Sequence, residues 1–285
     1  MSRLEGRVDL SAFDPRLRET ESDVDALMAA LLPHAAMFSD PPVSGFRVGA
    51  IARGELGTLY VGVNVEFAGM PLSCSVHAEQ AAVSNARRHR ERRIVALATS
   101  AVPCGHCRQF LHELPRAAEI RILQPGAAAA SPGEPLPRAT AVTLGELLPH
   151  AFSPHDLGAA GDLLDERRTE LVRDDGSDDE LLDAARAAAE RAYVPYGRTH
   201  SGVALRTADG AIHRGSALES VAYNPSLPPL QDALVSLRQT GRRWGDVVEA
   251  ALVEADGPVS HRAHADALAR ALGLPPLRFG RVRLR

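Results

Sequence analysis

An internal repeat constrains the fold of this chain more than any other feature. Four identities recur at an offset of 153 positions: Pro42 and Pro195, Gly49 and Gly202, Gly62 and Gly215, and Glu66 and Glu219. After a slip of two residues, segment 76–80 meets segment 227–231. Because glycine marks positions that need unusual dihedral angles or a close approach, the matched glycines indicate a backbone that takes the same course twice. We therefore predict two copies of one fold within the 285 residues. The alternative explanation of the repeated identities is chance agreement in a chain rich in Ala, Gly and Pro.

Strands and helices alternate along the first copy. Ser22 with Asp25 has the spacing of a capping box and predicts a helix start, and Pro33 predicts the end of that helix. The hydrophobic pattern then predicts strands over 46–52, 58–64, 94–99 and 120–123, and helices over 76–89 and 104–114. Ser177 with Glu180 predicts the first helix of the second copy. This alternation favours an α/β layer structure.

Composition and charge exclude several classes of protein. The chain has 32 basic and 36 acidic residues, a net charge of −4, whereas proteins that bind nucleic acid usually carry a basic surface. The first twenty residues are charged throughout, unlike a secretory signal, and the longest near-apolar run, 95–102, is far shorter than the ~20 residues that span a bilayer. The three cysteines are too few for a disulfide scaffold and fit a reducing compartment. We expect a cytoplasmic protein with no nucleic acid and no membrane as partner.

Two predicted helix starts carry residues suited to a metal ion. His77 and Glu79 open one helix, and Cys104 and Cys107 open another. Thiolate and imidazole are the ligands that zinc prefers, and the helix dipole favours the thiolate form of cysteine. Three such ligands leave one position of a Zn²⁺ ion open, where water has a pKa of about 7. Glu79 lies two residues from His77, which suits a general acid and base.

The second copy lacks this constellation. It carries Pro228 and Leu230 where the first copy has the histidine and the glutamate, and it contains no cysteine. We therefore predict a metal-free second copy that serves packing and dimerisation. Eight further histidines, His261 and His264 among them, are expected to have no ligand role.

The spacing H-x-E followed by P-C-x-x-C is the signature of zinc nucleobase deaminases. The chain resembles cytidine deaminases, in particular the larger bacterial type with two deaminase-like domains per subunit. The segments that carry this resemblance cover nearly the whole chain: 46–50, 64–67, 76–80, 99–110 and 223–230. The resemblance implies a three-layer α/β/α fold, duplicated, with a small N-terminal helical segment. It also implies a homodimer with one Zn²⁺ per chain.

The implied reaction is hydrolytic deamination of cytidine and 2′-deoxycytidine to uridine and 2′-deoxyuridine plus ammonia, in pyrimidine salvage. By matching position, the resemblance assigns His77, Cys104 and Cys107 as zinc ligands. Glu79 takes a proton from the zinc-bound water to N3 of cytosine, hydroxide attacks C4, and Glu79 gives a second proton to the departing amino group.

The resemblance also implies the residues that hold the small-molecule nucleoside substrate. Asn64 and Glu66 match the residues that hold the ribose hydroxyls, with the Val65 backbone between them. Phe46 matches an aromatic residue that packs on the pyrimidine. Phe152 matches the residue that reaches into the active site of the partner subunit.

Two breaks in composition suggest where the chain divides. Residues 125–137 are rich in Pro, Gly, Ala and Ser, which predicts a surface loop, and residues 174–180 are acidic. We predict an N-terminal helical segment at 1–40, a catalytic zinc-binding deaminase domain at 41–155, a linker at 156–179 and a metal-free deaminase-like domain at 180–285.

Four other interpretations stay open at this point. The sequence from Cys104 to Cys107 also occurs in disulfide isomerases, which predicts a redox dithiol with no role for His77. A closed structural zinc site that includes Cys74 would exclude water and give a non-catalytic zinc-stabilised module. A deaminase of polynucleotides needs a basic groove with stacking aromatics, which the net charge disfavours. A modified cytosine nucleoside is the remaining alternative substrate.

Overall fold

The computed structural model describes residues 6–10, 19–124, 140–165, 167–174 and 178–285. Its strands are Arg7–Asp9 (β1), Gly49–Gly54 (β2), Thr58–Val63 (β3), Ile94–Thr99 (β4), Arg121–Gln124 (β5), Thr140–Thr143 (β6), Leu171–Arg173 (β7), Ser201–Thr207 (β8), Ile212–Ser216 (β9), Val247–Ala255 (β10) and Leu277–Leu284 (β11). Its α-helices are Glu21–Ala36 (α1), Ala78–Arg88 (α2), Gly105–Leu111 (α3), Leu144–Leu147 (α4), Glu180–Ala189 (α5), Pro229–Gln239 (α6) and Arg262–Ala271 (α7). Strands and helices alternate as the sequence predicts.

The chain divides into two compact units. The first contains residues 1–65, 76–153 and 162–164, and the second contains residues 66–75, 154–161 and 165–285. Each unit has one sheet and its own helices. The domain boundaries predicted from composition stay predictions.

The two sheets repeat one strand order. From one edge to the other, the first sheet has the strand order β1-β3-β2-β4-β5-β6, and the second has the order β9-β8-β10-β11-β7. Strands β3-β2-β4-β5 of the first sheet therefore correspond to β9-β8-β10-β11 of the second. The directions also agree. In both units the first three of these strands pair antiparallel and the last pair, β4 with β5 or β10 with β11, is parallel. The units differ at their edges, where β1 and β6 flank the first sheet and β7 flanks one side of the second.

Glycines let helices lie close to both faces of the first sheet. A Cβ atom on Gly49 would lie 2.6 Å from the carbonyl oxygen of Leu32 in α1, and a Cβ atom on Gly62 would lie 2.0 Å from that of Ala78 in α2. Gly62 pairs with Ala50, the neighbour of Gly49, so the two glycines face opposite sides of the sheet. Helices α1 and α2 therefore cover opposite faces, which makes this unit a three-layer α/β/α structure.

The matched glycines of the second unit do the same. A Cβ atom on Gly202 would lie 2.3 Å from the carbonyl oxygen of Ala185 in α5, and one on Gly215 would lie 2.2 Å from that of Pro229 in α6. Gly215 pairs with Val203, the neighbour of Gly202, so α5 and α6 also lie on opposite faces. The predicted duplication of a three-layer α/β/α fold is confirmed.

The slip of two residues in the repeat lies in one loop. In the first unit Val65 forms an isolated bridge with Val76, and in the second Leu218 forms the matching bridge with Leu227. The intervening segments are 66–75 and 219–226, so the second is shorter by two residues. Glu219, at the start of this shorter loop, accepts hydrogen bonds from the backbone N–H groups of Tyr196 (2.9 Å) and Gly197 (2.8 Å). This glutamate therefore has a structural use in the second unit.

The first helix starts and ends at other residues than the sequence predicts. Thr20 is the N-cap, in a capping box with Asp23, rather than Ser22 with Asp25. The helix continues through Pro33 to Ala36, because the turn around Pro33 packs on the sheet and buries Leu32 and Ala35.

Helix α5 is capped by Asp179, whose carboxylate accepts from the N–H groups of Leu181 and Leu182. Ser177, predicted to take part in that cap, and the predicted loop at 125–137 lie outside the described residues. Within the described part of the chain, no helix has the length and apolarity needed to cross a membrane.

Candidate active site

A short bridge places His77 at the start of α2. Val65 and Val76 exchange two backbone hydrogen bonds of 2.9 and 2.8 Å, which hold the chain in extended form up to His77. His77 is the N-cap of α2, and its backbone N–H donates to Oε1 of Gln80 at 3.1 Å. These contacts direct the first turn of α2, and Nδ1 of the His77 imidazole faces the cysteines at the start of α3.

The start of α3 carries the two cysteines. Cys104 is the N-cap with extended backbone, and Cys107 lies in the first turn. Nε of Arg108 donates to the carbonyl oxygen of Pro103 at 2.8 Å. This hydrogen bond fixes Pro103, the residue before Cys104, against α3. Cys104 is exposed and Cys107 is buried, so the pair reaches from the surface into the unit.

The three predicted ligands meet at one point. Nδ1 of His77 lies 3.4 Å from Sγ of Cys104 and 3.2 Å from Sγ of Cys107, and the two sulfurs are 3.7 Å apart. Bonds of about 2.3 Å to sulfur and about 2.0 Å to nitrogen put the ligand atoms of tetrahedral zinc about 3.8 Å (S–S) and about 3.5 Å (S–N) apart. The donor set and its spacing therefore fit Zn²⁺.

The two thiols have different proton affinities. The hydrogen bond from Cys107 is the largest cause that lowers the pKa of Cys104, to about 4, and burial opposes it. The same hydrogen bond and burial raise the pKa of Cys107 well above its usual range. One thiolate is thus already stable at neutral pH, and a cation near both sulfurs favours loss of the second proton.

Glu79 lies beside this cluster with little access to water. Its side chain is 4% exposed, and burial raises the pKa of its carboxyl group. Interactions with His77 and with Cys107 lower that pKa by smaller amounts, which shows that the carboxyl group is close to the ligands. A carboxyl group with a raised pKa next to the cluster can hold a proton and release it, as a general acid and base requires.

The cluster contains a fourth group that was not predicted from the sequence. His106 joins His77, Cys104 and Cys107 in a set whose ligand atoms all lie within 4.8 Å of one another. Its ring is tilted at 37° to the ring of His77, with 5.1 Å between the centroids. Its position between the two cysteines in the sequence was the available signal.

Cys74 is buried and does not belong to this set. Burial raises the pKa of its thiol. A closed zinc site that includes Cys74 is therefore not what the structure shows.

Asn64 organises the segment that carries Phe46. Its Oδ1 accepts from the backbone N–H of Val48 at 2.7 Å, and its Nδ2 donates to the carbonyl oxygen of Phe46 at 2.9 Å. The residue Phe46 is 62% exposed. Val65 is buried, and its backbone N–H and C=O both bond to Val76. The side-chain amide of Asn64 thus forms hydrogen bonds with two backbone groups.

The two remaining predicted residues lie in different environments. Glu66 is half-buried and belongs to the second unit. Phe152 is 43% exposed in the first unit, and its carbonyl oxygen accepts from Nε2 of Gln109 at 2.6 Å. Gln109, which lies on the helix that begins at the cysteines, thereby holds the segment of Phe152.

Known families match both units of the chain. A family model described as the cytidine and deoxycytidylate deaminase zinc-binding region matches residues 21–123, and a second model with the same description matches residues 144–266. A cytidine deaminase of Vibrio vulnificus (strain YJ016) is 41% identical over 261 residues, which cover 91% of this chain and 84% of that protein. The chain belongs to the cytidine deaminase family. A cytidine deaminase of Proteus mirabilis (strain HI4320) is 42% identical over 250 residues, which cover 87% and 80% of the two chains.

Shorter cytidine deaminases of known structure resemble part of the chain. The crystal structure of the Mycobacterium tuberculosis cytidine deaminase is 30% identical and covers 45% of this chain and 95% of its own, with a TM-score of 0.37. The Mycobacterium leprae cytidine deaminase is 28% identical and covers 46% and 99%, with a TM-score of 0.37.

Membership of the cytidine deaminase family decides the general chemistry. The chain is a zinc-dependent deaminase of the larger two-domain bacterial type. Its cofactor is zinc, in agreement with the cluster of His77, Cys104 and Cys107. The alternative of a redox dithiol is excluded by this membership.

Proposed function

We propose that the chain deaminates free cytidine and 2′-deoxycytidine by hydrolysis, with release of ammonia. The observation that carries this proposal is the buried carboxyl group of Glu79 beside two sulfurs and an imidazole at zinc spacing. A site that held zinc only for stability would have no use for a buried carboxyl group of raised pKa. Hydrolysis of a cytosine amino group needs a group that moves protons, and Glu79 meets that need.

His77, Cys104 and Cys107 are the residues that would hold the zinc ion. When bound there, zinc supplies a Lewis acid that lets water act as a nucleophile at neutral pH. Glu79 takes one proton from the attacking water and gives it to N3 of the cytosine ring, which makes C4 more electrophilic as the water oxygen bonds to it. Glu79 then takes the remaining proton of that oxygen and delivers it to the exocyclic amino group, so that the C4–N bond breaks and ammonia leaves. Burial supports both steps because it holds the pKa of Glu79 nearer to neutrality than that of an exposed glutamate.

We propose that Asn64, Val65 and Glu66 hold the ribose and that Phe46 packs on the pyrimidine. The hydrogen bonds of Asn64 to the backbone of Phe46 and Val48 support this assignment, because they hold the proposed ribose-binding residue next to the proposed base-binding residue. The exposed ring of Phe46 is available to a ligand. A free nucleoside also suits a chain with net charge −4 better than a polynucleotide does.

We further propose a cytoplasmic homodimer that serves pyrimidine salvage, with Phe152 completing the active site of the partner subunit. The partial exposure of Phe152 supports this, since the residue is accessible while its carbonyl oxygen is held by Gln109. The catalytic domain is proposed at 41–155 and the second deaminase-like domain at 180–285, with 1–40 as a helical segment and 156–179 as a linker.

Replacement of Glu79 tests the proposed reaction. Glu79→Gln keeps the size of the side chain and removes the proton, so kcat for cytidine should fall by about 10²–10⁴-fold or more, with zinc content unchanged. Glu91→Gln is the matched control, because Glu91 is also buried in this unit but bonds to Tyr60 and to the backbone of Arg92 and Arg93. Its variant should keep turnover per folded molecule. Full turnover by the Glu79 variant, or no release of ammonia from cytidine by the wild type, would refute the proposal.

A closed zinc site is the arrangement that the proposed reaction has to exclude, because His106 lies within reach of the other three groups. Four protein ligands would close the site to water. His106→Asn separates the two functions. For a deaminase, zinc stoichiometry and turnover should persist. For a closed structural site, zinc affinity should fall steeply and the wild type should show no turnover.

A further inference from the structure

Two consecutive residues of α3 hold one segment of the first unit. Nη1 of Arg108 donates to the carbonyl oxygen of Leu147 at 2.9 Å, and Nε2 of Gln109 donates to that of Phe152 at 2.6 Å. The two acceptors lie at the ends of residues 147–152, which we call the tied segment. Both donors come from the helix that also carries Cys107. The position of the tied segment therefore depends on α3.

The tied segment has little backbone hydrogen bonding of its own. Within the described part of the chain, the backbone groups of residues 149–152 bond to no other backbone group. Pro149 has no N–H to donate, and His150 has a φ of 56°, in the left-handed region that residues other than glycine rarely adopt. Such a conformation persists only when surrounding contacts fix it. The side chains of α3 supply two of those contacts.

Helix α3 is a firm base for these hydrogen bonds. Its last two residues, Phe110 and Leu111, are completely buried. The guanidinium group of Arg108 is held on a second side, because its Nε donates to the carbonyl oxygen of Pro103. Leu147 ends α4, and the carbonyl groups in the last turn of a helix need a partner from outside that helix. The base and both acceptors are thus fixed by contacts that each element requires.

The placement of Phe152 depends most directly on this arrangement. The residue is 43% exposed, and its carbonyl oxygen is held by Gln109. An exposed side chain on a segment that is poorly held must be ordered when a ligand binds, and that ordering weakens affinity. A hydrogen bond that already exists in the free protein lowers this cost. Gln109 should therefore strengthen any contact that Phe152 makes with a substrate.

We propose that Gln109 is a positioning residue for Phe152, with Arg108 fixing the other end of the tied segment. The proposal rests on the proposed function, in which Phe152 completes the active site of the partner subunit. Helix α3 then serves both active sites of a dimer. It carries Cys107 for the site of its own subunit, and its next two residues place an aromatic residue in the site of the other. A change at Gln109 in one subunit should alter substrate binding in the other.

Gln109→Met tests the hydrogen bond, because it keeps the length of the side chain and removes the donor. KM for cytidine should rise about 3–10-fold, the effect of one hydrogen bond, while kcat and zinc content stay close to those of the wild type. Gln124→Met makes the same change at the end of β5 and should leave KM unchanged. Gln109→Glu also lacks the donor and repeats the measurement if the methionine variant does not fold.

Phe152→Ala separates a failure of this proposal from a failure of the proposed function. It should raise KM at least as much as Gln109→Met, and the double variant should show no further rise, because both changes remove one contact. An unchanged KM in Phe152→Ala would refute the role of Phe152 and this proposal with it. A raised KM in Phe152→Ala with an unchanged KM in both Gln109 variants would overturn the positioning role alone.

Mixed dimers show in which subunit Gln109 acts. Two affinity tags on co-expressed chains allow dimers with one chain of each kind to be purified. In Glu79→Gln/Gln109→Met paired with wild type, the active subunit receives Phe152 from the chain without the hydrogen bond, and KM should be raised. In Glu79→Gln paired with Gln109→Met, it receives Phe152 from a chain that keeps the hydrogen bond, and KM should be normal. The reverse result, or equal KM values in the two pairs, would overturn the proposal.

Discussion

Substitution of the matched glycines Gly62 and Gly215 by alanine applies the same steric change to both units. A Cβ atom on Gly62 would lie 2.0 Å from the oxygen of Ala78 and 2.5 Å from the nitrogen of Ala82. Ordinary contact begins at 3.4 Å, so the shortfall is about 1.4 Å. Both obstructing atoms are backbone atoms of α2 and cannot rotate away. The start of α2 must therefore move from the sheet by roughly 1 Å.

The movement has different consequences in the two units. Ala78 lies between His77 and Glu79, so Gly62→Ala displaces a zinc ligand and the proposed proton carrier together. A misplacement of about 1 Å can reduce a rate by about 10²-fold. Gly215→Ala brings Cβ to 2.2 Å from the oxygen of Pro229, at a helix start without catalytic groups. Overpacking should lower the free energy of unfolding by roughly 1–3 kcal/mol in each variant.

Three measurements on each variant separate these effects. Urea unfolding reports stability, elemental analysis reports zinc, and kcat per folded molecule reports the site. We expect both variants to be destabilised but only Gly62→Ala to lose turnover and zinc affinity. Gly245→Ala is the control, because no atom of the described residues lies within 4 Å of its added Cβ. An equal loss of kcat in both glycine variants, or an unchanged unfolding midpoint in both, would refute the reasoning.

Three further predictions concern the first unit. Burial, and to a smaller extent the neighbouring carboxylate of Glu91, raises the pKa of Tyr60 from 10.0 to about 12. The contribution of Tyr60 to the free energy of unfolding should therefore be full below pH 10 and be lost as the pH rises through about 12. In Tyr60→Phe, this loss should be absent from melting temperatures recorded at high pH. Removal of zinc should lower the melting temperature. In the zinc-free protein, Cys104 should be alkylated at about pH 6 well before Cys74, which peptide mass spectrometry measures. Equal alkylation rates would contradict the order of the two thiol pKa values. Asn64→Ala removes two hydrogen bonds and should lower the free energy of unfolding by roughly 1–3 kcal/mol and raise KM for cytidine while zinc content stays constant; an unchanged KM would remove Asn64 from the substrate site.

Local patterns predicted most of the first unit's elements to within a few residues. Strand β4 was predicted at its observed bounds, and the others were displaced by up to three residues. The start of α1 shows why boundaries differ. Thr20 with Asp23 and Ser22 with Asp25 both have capping-box spacing, and the sequence offers no reason to choose between them. Packing of the helix on the sheet makes that choice, and it also keeps Pro33 inside the helix.

The candidate site shows the same division between local and distant information. His77, Cys104 and Cys107 could be proposed as ligands because their residue types suit zinc and their spacing resembles that of cytidine deaminases. The presence of His106 in the cluster depends on the direction in which the first turn of α3 faces. That direction is set by contacts with residues far away in the sequence, which no spacing rule describes.

The amino-acid sequence alone determined the duplication, the α/β class and the zinc chemistry, because glycine, helix starts and metal ligands have strong requirements for particular residue types. The tertiary structure decided which polar groups are buried together. The raised pKa of Glu79 arises from burial against segments that are distant along the chain. Burial and its electrostatic consequences are collective properties of the packed fold, so they emerge only when all the elements are in place.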